Sequence, residues 1–145
     1  MALTKENITQ DELKRRLNYD PDTGVFVRRT TWNCHLRAGM VAGTPARGGY
    51  IKITVGMSSY MAHRLAWYYM YGVFPKGLID HKNGVRDDNR IDNLREVTST
   101  ENTWNSSACS RNKSGYKGVS WHKDAKHWQA QLVHNKVAFH LGYFD

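Results

Sequence analysis

The sequence predicts an α+β fold in which short helices are interspersed with antiparallel hairpins. Two capping-box patterns, a threonine followed three residues later by glutamate, begin at Thr9 and Thr98, and each predicts the start of a helix. Apolar and polar residues alternate over residues 50–55, as in a half-buried strand. Near the end of the chain, three strand-like segments are joined by loops of hairpin length.

Length and composition limit the classes of protein to consider. The 145 residues, 40% of them hydrophobic, suit one ordinary domain or two small ones. No apolar run approaches the ~18–20 residues that cross a bilayer, and no signal-peptide pattern opens the chain, so we expect a soluble, cytoplasmic protein. Cys34 and Cys109 form no CxxC pair, so we expect no structural zinc.

The first part of the chain predicts a helix and strand extension over residues 1–62. The helix that opens at Thr9 is expected to continue through Leu17. A turn-forming segment then leads into a strand at residues 25–27, and the alternating strand at residues 50–55 follows a glycine-rich loop.

The rest of the chain predicts a central segment, residues 63–108, and a C-terminal segment, residues 109–145. In the centre we expect helix 63–71, strands 78–80 and 94–97, and helix 99–107. In the C-terminal segment we expect a linker and then strands 118–121, 128–133 and 137–141.

The net charge of +8 favours a polyanionic partner, most simply nucleic acid, over basicity that serves solubility alone. The charge is uneven along the chain. Residues 1–72 carry ten Lys and Arg against five acids, and residues 110–145 carry six against two. Residues 73–109 carry five against six. Basic flanks of this kind hold phosphates, and carboxylates clustered between them can hold a cation.

The segment IDHKNG (79–84) places Asp80 and His81 side by side at the end of a strand. Successive strand residues face opposite sides, so one side chain can bind a metal while the other addresses a water molecule. Asn102 falls near the start of the following helix, a favourable place for phosphate. A carboxylate and an amide oxygen form a hard, incomplete ligand set that suits Mg²⁺.

Together with NRIDNLR (89–95) and ENTWN (101–105), this segment resembles the HNH nuclease signature in its His-Asn-Asn variant, as in phage-type homing and nicking endonucleases. The resemblance covers about residues 9–108, including HRLAW (63–67). It implies a ββα-metal (His-Me finger) core at about residues 77–108.

The resemblance also implies the chemistry and the partners. Asp80 and Asn102 would bind one Mg²⁺, with Mn²⁺ as a substitute, His81 would be the general base, and Asn93 would brace the loop and orient the imidazole. The substrate would be double-stranded DNA, cut to 5′-phosphate and 3′-hydroxyl ends by a monomer or homodimer. A phage source would place the protein in the host cytoplasm.

Several further residues are candidates for substrate contact or site support. Arg64, Arg90 and Arg95 are predicted phosphate contacts, although Arg95 could instead pair with a neighbouring acid. His63 and Asn105 could support the site. For His63, contact with phosphate and a purely capping or packing role at the start of a helix are open alternatives.

The C-terminal segment resembles the beginning of an Apetala-type DNA-binding domain, through GYKGVSW (115–121), WQAQ (128–131) and HLGYF (140–144). That domain is a three-stranded antiparallel sheet packed on one helix, and the sequence stops where the helix would begin. We therefore expect a sheet that lacks its helix and is frayed, packed on the nuclease part or shared between chains. The polar candidates for DNA contact are Lys117, Lys126, Gln129 and Gln131.

Three functions remain open on the sequence. The leading one is a Mg²⁺-dependent DNA endonuclease. The second is a non-catalytic, sequence-specific DNA-binding protein built on an HNH scaffold. The third is an RNA-binding or structural basic protein, which would bind RNA with equal affinity and show no dependence on metal.

Overall fold

The computed structural model describes residues 8–105, 112–124, 126–134 and 137–144. The chain divides into two compact units, Met1–Ser99 and Thr100–Asp145. In the described ranges, no helix is both long enough and apolar enough to cross a membrane. Cys109 and most of the predicted linker lie outside these ranges. The predicted division into three segments stays a prediction.

The first unit opens with helix α1 (Gln10–Arg16), which begins where the capping box predicts. The Thr9 hydroxyl accepts a hydrogen bond from the backbone N–H of Glu12 at 3.2 Å. The predicted continuation of this helix through Leu17 is wrong. Leu17 is extended and begins strand β1 (Leu17–Tyr19). The Leu17 side chain is fully buried in this extended conformation. The spacing of Leu13 and Leu17 predicted a longer helix, but a helix followed directly by a strand buries both side chains equally well.

Strand β1 pairs antiparallel with β2 (Phe26–Arg28), and a three-stranded antiparallel sheet follows. That sheet consists of β3 (Thr44–Pro45), β4 (Ile51–Val55) and β5 (Ser58–Met61), in the order β3-β4-β5. The predicted alternating strand is thus confirmed as β4. A short 3-10 helix, Arg47–Gly49, precedes it.

Helix α2 (Ala62–Tyr71) follows β5 directly and ends at Gly72, which adopts a left-handed conformation with φ of 73°. Next come β6 (Leu78–His81), a polar loop, a 3-10 helix (Ile91–Asn93) and β7 (Leu94–Val97). The strands β6 and β7 are antiparallel.

One hydrophobic core joins the N-terminal elements to this strand pair. It contains side chains from α1, β1, β2, β4, β5 and α2 together with Ile79 of β6 and Leu94 of β7. The most deeply buried large side chains are Phe26, Leu13, Leu17, Ile53 and Leu65. Because the core is shared, the N-terminal extension helps to hold β6 and β7 in place.

Helix α3 (Ser99–Asn105) follows β7, so the predicted chain order of strand, strand and helix is confirmed. The fold is a mixture of small sheets and few helices, compatible with an HNH domain. The packing of α3 in a ββα-metal arrangement stays a prediction.

The second unit contains a three-stranded antiparallel sheet in the order β10-β9-β8, as predicted. Its strands are β8 (Val119–His122), β9 (His127–His134) and β10 (Val137–Phe144). Strand β10 is an edge strand, and its apolar side chains Val137, Phe139 and Leu141 are at least half exposed.

Candidate active site

The end of strand β6 separates the side chains of Asp80 and His81, as the alternation of a strand predicts. His81 is buried, with only 5% of its surface exposed. Asp80 forms an ion pair with Arg95, which lies directly opposite on β7. The carboxylate and the imidazole therefore have different surroundings although they are adjacent in sequence.

The His81 imidazole is oriented by Asn89. Its Nε2 lies 3.4 Å from Oδ1 of Asn89, which is 3% exposed. The amide nitrogen of Asn89 donates to the Asp87 carbonyl at 2.9 Å, which identifies Oδ1 as the acceptor facing His81. Nε2 of His81 therefore carries the hydrogen, and in the neutral ring the lone pair lies on Nδ1. That nitrogen is the one able to accept a proton.

Asn89 is in turn held by the N-terminal hairpin. The Tyr19 hydroxyl donates to the Asn89 backbone carbonyl at 2.7 Å. The N–H of Ile91 donates to the Pro21 carbonyl at 3.2 Å. Gly24, with φ of 73°, packs so tightly that a Cβ there would lie 2.5 Å from the backbone of Asn89. The turn between β1 and β2 is thus the support on which the Asn89 segment rests.

Asn93 closes the loop between β6 and β7 from the other side. Its amide nitrogen donates to the Asp88 carbonyl at 2.8 Å, and its Oδ1 accepts from the backbone N–H of Asn83 at 3.1 Å. Asn93 is itself buried. These two hydrogen bonds connect both ends of the loop, which is the geometry that a bracing residue needs.

His63 and Tyr50 complete the surroundings of His81. The ring of His63 stands edge-on to that of His81 with 5.3 Å between centroids, and Tyr50 lies 5.3 Å from His63 and 6.0 Å from His81. Nδ1 of His63 is buried without a hydrogen-bond partner in the described structure. Burial, with smaller effects from His81 and Arg64, lowers the pKa of His63 to about 4, so this ring is uncharged at neutral pH.

The residues predicted to hold a cation lie in both units. Asp80 supplies a hard carboxylate of the kind Mg²⁺ prefers, but its Oδ2 accepts from Nε and Nη2 of Arg95 at 3.0 and 2.7 Å. Asn102 is half-buried on α3, which also carries Asn105. Over the described ranges, no group of three His, Cys, Asp or Glu side chains could hold a metal. A cation site shared by Asp80 and Asn102 therefore stays a prediction.

Internal partners hold the three arginines that the sequence analysis assigned to phosphate. Arg64 donates to the carbonyls of Pro75 and Gly77 at 3.1 and 3.2 Å. Arg90 pairs with Asp88 at 2.6 Å, and Arg95 pairs with Asp80 rather than with a closer acid in the sequence. DNA contact by these arginines stays a prediction.

The C-terminal candidates for DNA contact lie around the sheet of the second unit. Gln129 and Gln131 are on β9, Lys126 is in the turn before it, and Lys117 precedes β8. Their contact with DNA likewise stays a prediction.

The sequence motifs did not identify two residues near His81, Asn89 and Tyr50, as candidates for the site. Asn89 stands at the start of NRIDNLR, so its place in the motif was a usable signal. Tyr50 gave no signal, because only the packing of the first unit brings residue 50 next to His63 and His81.

Comparison with known proteins supports a nuclease motif at this place in the chain. Residues 60–103, which include His63, Asp80, His81, Asn93 and Asn102, match a protein-family model described as HNH endonuclease. The chain is also 40% identical over 72 residues to Protein 3.8 of Escherichia phage T7. That similarity spans 49% of this chain and 60% of the phage protein.

No solved structure matches the chain significantly. The family match ends at residue 103 and gives no support to the resemblance of the C-terminal segment to an Apetala-type domain.

Proposed function

We propose that the protein is an HNH-type DNA endonuclease in which His81 is the general base. The observation that carries the proposal is the hydrogen bond from His81 Nε2 to Asn89, which leaves Nδ1 as the proton acceptor of a buried, fixed imidazole. This imidazole is adjacent to Asp80 within the segment that matches the HNH endonuclease family.

In this mechanism His81 takes a proton from the water that attacks the phosphodiester and holds it at Nδ1. Asn89, His63 and Tyr50 restrict rotation of the ring, and Asn93 keeps the loop closed. Asp80 and Asn102 would hold one Mg²⁺, with Mn²⁺ as a substitute. When bound, the cation would stabilise the charge that develops on the leaving 3′ oxygen. The products carry 5′-phosphate and 3′-hydroxyl ends.

The substrate in this proposal is double-stranded DNA, and the enzyme is of the homing or nicking type found in phages, acting in the host cytoplasm. One His81 serves one cut per protomer. Cleavage of both strands therefore requires a homodimer or a second binding event. The similarity to a phage protein supports the phage setting.

One observation favours a second candidate, a non-catalytic DNA-binding protein on an HNH scaffold. Arg95 donates twice to Oδ2 of Asp80 and so places a positive charge beside the carboxylate that would bind the cation. A carboxylate already neutralised in this way attracts a divalent cation less strongly.

Incubation with supercoiled plasmid separates the two candidates. Protein in Mg²⁺, Mn²⁺ or chelator is compared with His81→Ala, Asp80→Ala and Asn89→Ala. We expect open-circular or linear product only with metal. His81→Ala should lower the rate about 10²–10⁴-fold. Asn89→Ala should cause a smaller loss, because it frees the ring without removing the base.

Asp87→Ala is the matched control, since Asp87 is an exposed carboxylate of the same loop and its backbone carbonyl is retained. It should cut like the unmodified protein. Cleavage by folded His81→Ala at the unmodified rate would overturn the assigned base. DNA binding without cleavage in either metal would establish the second candidate.

A further inference from the structure

The connection between β2 and β3 forms an ordered arm, which we define as residues 28–41. Arg28 and Met40 face each other at its base, where the Arg28 N–H donates to the Met40 carbonyl at 2.8 Å. The N–H of Gly39 returns a bond to the Arg28 carbonyl at 2.7 Å. Near the tip, Trp32 donates to Leu36 at 2.8 Å. The arm is therefore closed by its own backbone like a hairpin.

The arm lies within a stretch of sequence that has no acidic residue. Residues 23–79 contain seven Arg and Lys and no Asp or Glu. In the described part of the chain, the ion pairs of arginine with carboxylates involve Arg15, Arg16, Arg90 and Arg95. None of them belongs to the arm, so in the described structure no carboxylate pairs with the arm arginines.

The arm arginines are instead positioned by neutral carbonyl groups. Arg29 donates through Nη1 to the Lys14 carbonyl at 3.1 Å, and Arg37 donates through Nε to the Cys34 carbonyl at 2.9 Å. A guanidinium has five N–H donors. Each of these arginines therefore retains donors for a further partner, and both are exposed.

An aromatic ring lies among these charges. Trp32 is 54% exposed, and the guanidinium of Arg16 stands over its ring at 5.3 Å. Guanidinium groups bind phosphate through paired N–H donors, and contacts of this kind hold proteins on the backbone of duplex DNA.

We propose that the arm is a docking surface for the phosphate backbone of duplex DNA, with Arg29 and Arg37 as its phosphate contacts. This rests on the proposed function for the identity of the nucleic acid. The arm differs from Arg90 and Arg95, whose guanidinium groups are paired with carboxylates. In the described structure the arm thus supplies exposed positive charge that no carboxylate pairs with.

The test measures binding separately from cleavage. Fluorescence anisotropy with a labelled duplex in chelator gives the affinity over a series of salt concentrations. Because each neutralised phosphate contributes about 0.9 to the slope of log K against log salt, the double variant Arg29→Gln/Arg37→Gln should lower that slope by about 2. Lys76→Gln, an exposed charge outside the arm, should leave the slope almost unchanged.

Several outcomes would overturn the proposal. The first is a double variant, with unaltered thermal unfolding, that keeps the slope of the unmodified protein. The second is a slope change of about 1 for Lys76→Gln, half that expected for the double variant, because the slope would then depend on net charge alone. The third is stronger competition by polyglutamate than by unlabelled duplex, which would assign the arm to an acidic protein.

The binding assay also separates this proposal from the proposed function. If DNA binding depends on the arm but the protein cuts no plasmid, the docking surface is supported and the proposed nuclease activity is overturned. If the protein cuts plasmid and its DNA binding does not depend on the arm, the nuclease activity is supported and the docking surface is overturned.

Discussion

At the scale of single residues, two histidines whose rings are in contact have different surroundings. His81 has a hydrogen-bonded Nε2, whereas His63 has a buried Nδ1 without a partner in the described structure. Protonation of an imidazole in the second environment would bury a positive charge near His81 and Arg64. His63 therefore links the stability of the first unit to pH.

We expect the free energy of unfolding to fall between pH 6.5 and pH 4 because of His63. The folded state holds the pKa of His63 at about 4, against 6.5 for an ordinary histidine. Above pH 6.5, His63 is neutral in both the folded and the unfolded chain, and its protonation does not lower the free energy of unfolding. Between pH 6.5 and pH 4, the unfolded chain binds a proton at His63 and the folded chain does not, so the free energy of unfolding falls. The loss should reach about 3 kcal/mol near pH 4.

Urea unfolding of the protein and of His63→Gln at pH 7 and pH 4.5 measures this effect. The groups that face His63 are His81, Tyr50 and Arg64, and the variant retains all of them. The two proteins share their other titrations, so their difference in pH dependence isolates His63. Parallel curves over this range would contradict the prediction.

The sequence predicts the part of the site that lies in one short motif. Asp80, His81 and Asn93 fall within 14 consecutive residues, and their spacing alone brings them to one strand pair and its loop. The Asp80–Arg95 pair and the Tyr50 contact depend on strand register and on packing across the first unit. The local sequence pattern therefore predicts neither the Asp80–Arg95 pair nor the Tyr50 contact.

At the scale of elements, the turn between β1 and β2 supports the Asn89 segment. Tyr19 and Pro21 both contact that segment through hydrogen bonds, and Gly24 contacts it through its backbone. An N-terminal hairpin that resembles a simple extension in the sequence is therefore part of the support of His81. Sequence patterns predicted the hairpin's turn, but they gave no indication of what packs on it.

Gly24→Ala should weaken both stability and activity. The added Cβ would lie 2.5 Å from backbone atoms of Asn89 and Arg90, and φ of 73° disfavours any side chain. We expect a loss of about 1–3 kcal/mol in unfolding free energy. Displacement of Asn89 should also slow plasmid cleavage at temperatures where the variant is folded.

Gly39→Ala is a matched control for Gly24→Ala. Gly39 has a similar φ of 84°, but a Cβ there meets no atom within 4 Å. It should share the backbone cost and lose less unfolding free energy than Gly24→Ala. Equal losses of unfolding free energy in the two variants would show that the backbone conformation, rather than contact with the Asn89 segment, accounts for the effect.

At the scale of the whole molecule, charge and apolar surface are distributed differently in the two units. The first unit combines a shared hydrophobic core with the acid-free stretch of residues 23–79. In the second unit, the sheet strands carry exposed apolar side chains. The sequence predicted this three-stranded sheet, because strand alternation and hairpin spacing are local features.

Strand β10 should make the protein associate at high concentration. It is an eight-residue edge strand, and Val137, Phe139 and Leu141 are 50–61% exposed on it. Long apolar edge strands offer unpaired backbone groups to other chains, and lysine on such an edge opposes that pairing. The double variant Phe139→Lys/Leu141→Lys should therefore show a smaller increase of average mass with protein concentration, measured by light scattering.

The control is Met57→Lys/Val73→Lys, which adds the same charge at exposed apolar positions of the first unit. An equal reduction in this control would attribute the effect to net charge rather than to β10.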